Sequence, residues 1–221
     1  MLLDWIKDKL SRSSPVKPAD VKPSISQPVS PVTSKPVMVP NDHAYDDINA
    51  HFGKYGASRP RGTRATICSA YGCKTQQKFV FTDAFMAAMK KLYADLGVSD
   101  GFSERQFAKK AIAAMEKESM VSLGLSGDRP SIDLFGNGDP GQLDCVDEAT
   151  NSTSFLLILN DAGLVRYHRI LGPIWKGGMT RWTHYAALIE DRKTKVQYAI
   201  DSGVTKQGGE PYIIEEGKFY V

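Results

Sequence analysis

The stretch Thr183-His184-Tyr185-Ala186-Ala187-Leu188-Ile189-Glu190-Asp191-Arg192-Lys193-Thr194-Lys195-Val196-Gln197-Tyr198-Ala199-Ile200-Asp201-Ser202 decides the reading of the fold. Two apolar runs, 185–189 and 196–200, flank a polar segment, which is the pattern of a β-hairpin. A turn centred between Arg192 and Lys193 pairs His184 with Asp201, Tyr185 with Ile200, Ala186 with Ala199, Ala187 with Tyr198 and Ile189 with Val196. Directly opposed residues have Cβ atoms about 4.5–5.5 Å apart, so the hairpin brings an imidazole against a carboxylate. A one-residue slip would separate them onto opposite faces. The same pairing also fits a plain polar pair at a sheet edge.

Upstream lies a helix start, Asp144-Cys145-Val146-Asp147. Asp144 is a good N-cap, and Asp147 stands three residues on, where it can reach back to the cap's N–H. Cys145 becomes the first helical residue, where free N–H groups and the helix dipole favour a thiolate. Asp144, Asp147 and Glu148 oppose that with negative charge, and must point aside if the thiol is to react. The other reading of Cys145 is a buried core residue.

Further helices are expected from Thr82 or Asp83 to Gly97, with Phe85, Met86, Met89 and Leu92 as the apolar stripe, and from a Ser103/Gln106 capping box, with Phe107, Ala111, Ala114 and Met115 buried. The cysteine helix runs to Ala162 and stops at Gly163. Strand-like segments are 66–68 and 78–81, around an Ala70-Tyr71-Gly72 turn, then 165–171, 182–190 and 196–201. Helices followed by clustered strands give an α+β fold.

The domain spans 61–221. Before it, 11–60 reads as a Pro-rich disordered linker and loop, with seven prolines between Pro15 and Pro40 and no site at His43 or His51. Residues 1–10 place Leu2, Leu3, Ile6 and Leu10 on one helical face, a short amphipathic segment suited to peripheral docking or simply a frayed terminus. No run is long enough to span a bilayer. The start lacks a secretory signal, which points to the cytoplasm, with an exported setting as the alternative. The net charge of +3, from 28 basic and 25 acidic side chains, gives no nucleic-acid footprint.

Cys68 and Cys73 suit a local disulfide or two free thiols. They also have the spacing of half a zinc site, but no second ligand pair matches, so no metal is expected. The segment Gly136-Asn137-Gly138-Asp139 lacks the strand and helix of a dinucleotide fingerprint, so no cofactor is expected. His168 reads as a solvent-face or substrate-edge residue. The segment 175–179 reads as a mobile lid or a surface connection.

The order of cysteine at a helix start, histidine opening a strand and aspartate on the next strand resembles the papain-like and transglutaminase-like cysteine hydrolases. Residues 142–148, 183–186 and 198–202 carry that resemblance. The stretch 66–202 also resembles an uncharacterised bacterial family with QLDCVDE and YAIDS-like elements. The superfamily resemblance implies N-terminal helices packed on a small antiparallel sheet, Cys145 as nucleophile, His184 as base and Asp201 as its orienting carboxylate. It implies attack on an amide of a peptide, protein or smaller substrate through a Cys145 thioester, resolved by water (peptidase or amidase) or by an amine (transglutaminase). The papain pattern places its oxyanion glutamine about two turns before the cysteine. Gln142 is only three residues ahead, so it is an auxiliary oxyanion candidate beside the Cys145 backbone N–H. The alternative is a binding module that keeps the fold without turnover.

Overall fold

The computed structural model describes residues 44–125, 127–128, 141–177 and 183–219. The expectations for residues 1–10 and 11–43, His43 included, and for the 129–140 part of the central loop, lie outside them.

The first described element corrects the sequence reading. Helix α1, Ala44–Lys54, occupies part of the region expected to be loop. Its signal was weak, because polar residues surround only a few apolar ones, of which Ile48 and Phe52 are buried. The helix packs on a later strand at Gly172, where a Cβ would come within 2.8 Å of Asp47. Tertiary packing holds this helix where local propensity is weak.

Strands β1 (Arg64–Ser69) and β2 (Thr75–Val80) form an antiparallel pair. Helix α2 (Asp83–Asp95) follows, capped by Thr82, whose hydroxyl accepts from the Phe85 N–H. Helix α3 (Gly101–Ser122) begins earlier than expected. Asp100 is its N-cap and Ser103 is the returning member of the capping box, so the Ser103/Gln106 reading was three residues late.

Helix α4, Cys145–Asp161, is the centre of the domain. Every residue from Val146 to Leu159 is buried, including Thr150, Asn151, Ser152, Thr153 and Ser154. A helix buried all round has no solvent face for its polar groups, and several here bond to neighbouring elements. Asn151 accepts from the Cys68 N–H at 2.8 Å and donates to the Cys68 carbonyl at 3.0 Å, pairing the helix with β1 as another strand would. Phe155 meets Phe81 edge-on at 5.8 Å.

A four-stranded antiparallel sheet completes the α+β fold, in the order β3 (His168–Lys176), β4 (His184–Asp191), β5 (Gln197–Asp201), β6 (Tyr212–Glu215). Helix α4 packs on β4 and α1 packs on β3. The strand β3 runs on past Leu171 through an irregularity before Ile174. Trp175 and Lys176 of the expected lid are therefore strand residues, paired with Tyr185 and His184. Gly178 and Met179 lie outside the described residues.

His168 is the second correction: it is 1% exposed, not on a solvent face. The buried Glu104 carboxylate accepts from the backbone N–H groups of Arg166, Tyr167 and His168, and from His168 Nδ1 at 2.8 Å. Arg105 lies 3.1 Å from His168 Nε2 and stacks over Tyr198 at 4.0 Å. This clamp ties α3 to the start of the sheet. Among the described residues no helix is long and apolar enough to cross a membrane.

Candidate active site

The start of α4 has the expected cap. Asp144 is extended (φ −103°, ψ 175°) and its Oδ1 accepts from the N–H groups of Val146 and Asp147. Asp147 returns the bond by accepting from the Asp144 N–H at 3.1 Å. Cys145 is the first helical residue, half-buried, with a free thiol. At that position the backbone N–H has no acceptor within the helix.

The loop after β1 closes on this cap. Cys68 and Cys73 form a disulfide. Between them Ala70 (φ 63°), Tyr71 (69°) and Gly72 (66°) are left-handed, as is Cys73 (60°). Non-glycine residues rarely adopt that region, and each one costs on the order of 1 kcal/mol or more. The return is a cradle of N–H groups. Tyr71 donates to Asp147 Oδ2 at 2.8 Å, Cys73 to Asp147 Oδ1 at 2.6 Å and Gly72 to Asp144 Oδ2 at 2.9 Å. Asp147 is thereby aimed at the loop. Burial and the neighbouring Asp144 charge push its carboxyl up to about 7, against the lowering effect of the bonds from Asp144, Cys73 and Tyr71.

His184 Nε2 lies 2.8 Å from Asp201 Oδ2, although the register differs from the one expected. Ala187 pairs with Ile200, Leu188 with Ala199 and Ile189 with Tyr198, a shift of two residues. The reason is a turn centred one residue later, between Lys193 and Thr194. β4 continues to Asp191, whose Oδ1 accepts from Lys193 and Thr194, and Lys195 turns left-handed at φ 62°. A shift of two preserves which face each side chain occupies, and a diagonal neighbour stays within reach of a long side chain. The pair survives for that reason, as diagonal rather than opposed residues.

The other ring nitrogen, Nδ1, is buried with no hydrogen-bond partner. Cys145 sits beside this imidazole, and its Sγ also approaches the Thr183 carbonyl at 3.6 Å. Burial alone would lower the pKa of His184. The bond to Asp201 and the side-chain interaction with Cys145 outweigh it, raising the imidazole to about 9. Phe219 covers the ring at 5.4 Å.

Gln142 is placed differently from a free oxyanion donor. Its Nε2 donates to the Gly127 carbonyl at 2.8 Å, while its backbone oxygen accepts from the Ala70 N–H at 2.9 Å. Glu148 departs from expectation as well. It is buried among Glu116, Asp128, Asp201 and Cys145, and burial followed by those charges raises its pKa well above the ordinary carboxyl value. Gly203 passes so close that a Cβ there would collide with Glu148 Oε2 and lie 3.5 Å from Asp201 Oδ1.

Sequence reasoning missed Phe219, the Thr183 carbonyl and the left-handed loop. Phe219 arrives from the end of the domain with no local motif, and Ala70 and Tyr71 carry no signature of positive φ. Among the described residues no group of three or more His, Cys, Asp or Glu side chains is placed to hold a metal ion. Comparison of the chain with protein-family models, with curated proteins and with solved structures finds no match.

Proposed function

We propose that this chain is a cysteine hydrolase or acyltransferase of papain-like or transglutaminase-like type, acting on an amide bond in a peptide, protein or smaller substrate. One observation carries the reading: His184 is held by Asp201 through Nε2, while its Nδ1 is buried and unpaired with Cys145 beside the ring. In this mechanism His184 holds the proton as an imidazolium paired with the Cys145 thiolate, and the sulfur attacks the amide carbon. The tetrahedral oxyanion accepts the N–H of Cys145 at the positive end of α4. The imidazolium then protonates the departing amine, leaving a thioester on Cys145. Water attacking that carbonyl releases acid, and a second amine releases a new amide. Asp201 fixes the ring orientation and stabilises the imidazolium in both halves.

A second reading, a binding module on the same scaffold, draws support from Glu148, whose carboxylate would repel a thiolate. Against that objection, burial and then the neighbouring Glu116, Asp128 and Asp201 carboxyls raise the Glu148 pKa well above the ordinary carboxyl value and so disfavour its charged form. The two readings separate by acid-quenched mass measurement after incubation with a panel of peptide amides and activated esters. The enzyme reading expects a hydroxylamine-labile acyl adduct on Cys145, absent from Cys145→Ala. Absence of any adduct across the panel, with the thiol also inert to alkylation, would favour the module.

A further inference from the structure

We propose that the disulfide-closed loop 68–73 and Asp147 are positioning elements for Cys145, so that the nucleophile is competent only while Cys68 and Cys73 are oxidised; this rests on the cysteine-hydrolase reading above. The loop is an unusual object. Three non-glycine residues, Ala70, Tyr71 and Cys73, share a left-handed run with Gly72, a conformation held only when its surroundings over-determine it. Two constraints do so here. The disulfide ties the last residue of the run, Cys73, to Cys68 in the strand that precedes it, and three consecutive N–H groups, from Tyr71, Gly72 and Cys73, grip the carboxylates of Asp144 and Asp147. A fourth bond, from Ala70 to the Gln142 carbonyl, fastens the segment entering the helix.

Of those two residues, Asp144 immediately precedes the nucleophile and Asp147 stands two residues after it. Asp144 caps the helix that Cys145 opens, and Asp147 closes the capping box. The loop thus fixes the first turn of α4 from outside. It also spreads negative charge that would otherwise lie beside the sulfur over three backbone donors. Reduction by a dithiol gives two thiols on the protein and a disulfide on the reductant. With the bridge gone, the left-handed run can relax to ordinary backbone, withdrawing its donors from buried acids. Charge-assisted bonds of this kind are worth enough that losing one changes an equilibrium by about tenfold or more.

The experiment measures the iodoacetamide alkylation rate of Cys145 against pH, by peptide mapping, in three proteins: the oxidised chain, Cys68→Ser/Cys73→Ser, and Asp147→Asn with the bridge intact. The proposal expects alkylation at pH 7 to be slower by about tenfold in both variants, with the pH profile displaced upward even in Asp147→Asn, where loss of the negative charge alone would move it down, while circular dichroism shows folded protein. A purely structural bridge would lower the melting temperature and leave the pH profile in place. That result, in either variant, overturns the proposal. If Cys68→Ser/Cys73→Ser fails to fold, Asp147→Asn decides alone. If the oxidised chain itself alkylates no faster than its unfolded form, the enzyme reading fails instead.

Discussion

Asp201→Asn should move the titration of His184 further than any other single substitution. The hydrogen bond to Asp201 is the largest influence raising the imidazole to about 9, against burial, which lowers it. At pH 7 such a ring is about 99% charged, whereas a ring of ordinary pKa is about one-quarter charged. Asparagine leaves the geometry but removes the negative charge. The pKa should then fall to the ordinary histidine value or below, and the imidazolium available to pair with a Cys145 thiolate at pH 7 should drop about fourfold or more. The same shift has a stability consequence. A histidine raised from 6.5 to about 9 adds stability that is complete below pH 6.5 and is lost as pH rises through 9. The amount is about 3 kcal/mol in wild type and little in the variant. The buried carboxyls of Asp147 and Glu116, raised to about 7 and about 8, remove stability in the same direction over lower windows. Denaturation alone therefore blends the groups. The assay is two-dimensional ¹⁵N–¹H NMR of the histidine ring nitrogens across pH 5–10. A wild-type His184 that titrates near 6.5, or a variant that titrates with the wild type, would refute the reasoning.

Three further outcomes are expected. Glu104→Ala should cost about 3–5 kcal/mol in urea unfolding, because it strands three backbone donors and the His168 ring; a loss under 1 kcal/mol would show that the clamp is dispensable. Reducing Cys68–Cys73 should lower stability by about 2 kcal/mol through the entropy of a short loop, and a bridge that cannot be found by non-reducing mass mapping would remove the basis for this. Gly203→Ala should destabilise by about 1–3 kcal/mol, since its Cβ meets the Glu148 carboxyl, and should disturb the His184 titration through Asp201; unchanged melting and titration would contradict that packing.

The parts of this protein legible in its sequence were those set by local chemistry. The Asp144–Asp147 cap needs only residue types at fixed spacing, and the hairpin needs only two apolar runs and a polar break. The exact register was not legible, because the Asp191 turn and left-handed Lys195 move the turn one residue along the chain without a glycine to announce it. Parity rescued the His184–Asp201 pair, since a shift of two keeps both side chains on one face. Helix α1 was missed because its burial against Gly172 is a tertiary fact, and His168 was misread because its partner Glu104 lies on a distant helix. Glu148 was expected to point aside, and only the folded packing of Glu116 and Asp201 around it reveals the proximity.

The central claim is that Cys145 is an activated nucleophile served by His184. Its most direct test is the second-order rate of iodoacetamide alkylation at Cys145 at pH 7, in the native chain, the urea-unfolded chain and folded His184→Ala. The account predicts that the native thiol reacts at least about tenfold faster than the unfolded one, and that His184→Ala abolishes the advantage. A native Cys145 that reacts no faster than the unfolded thiol, or one whose rate is unchanged by removing His184, would contradict it.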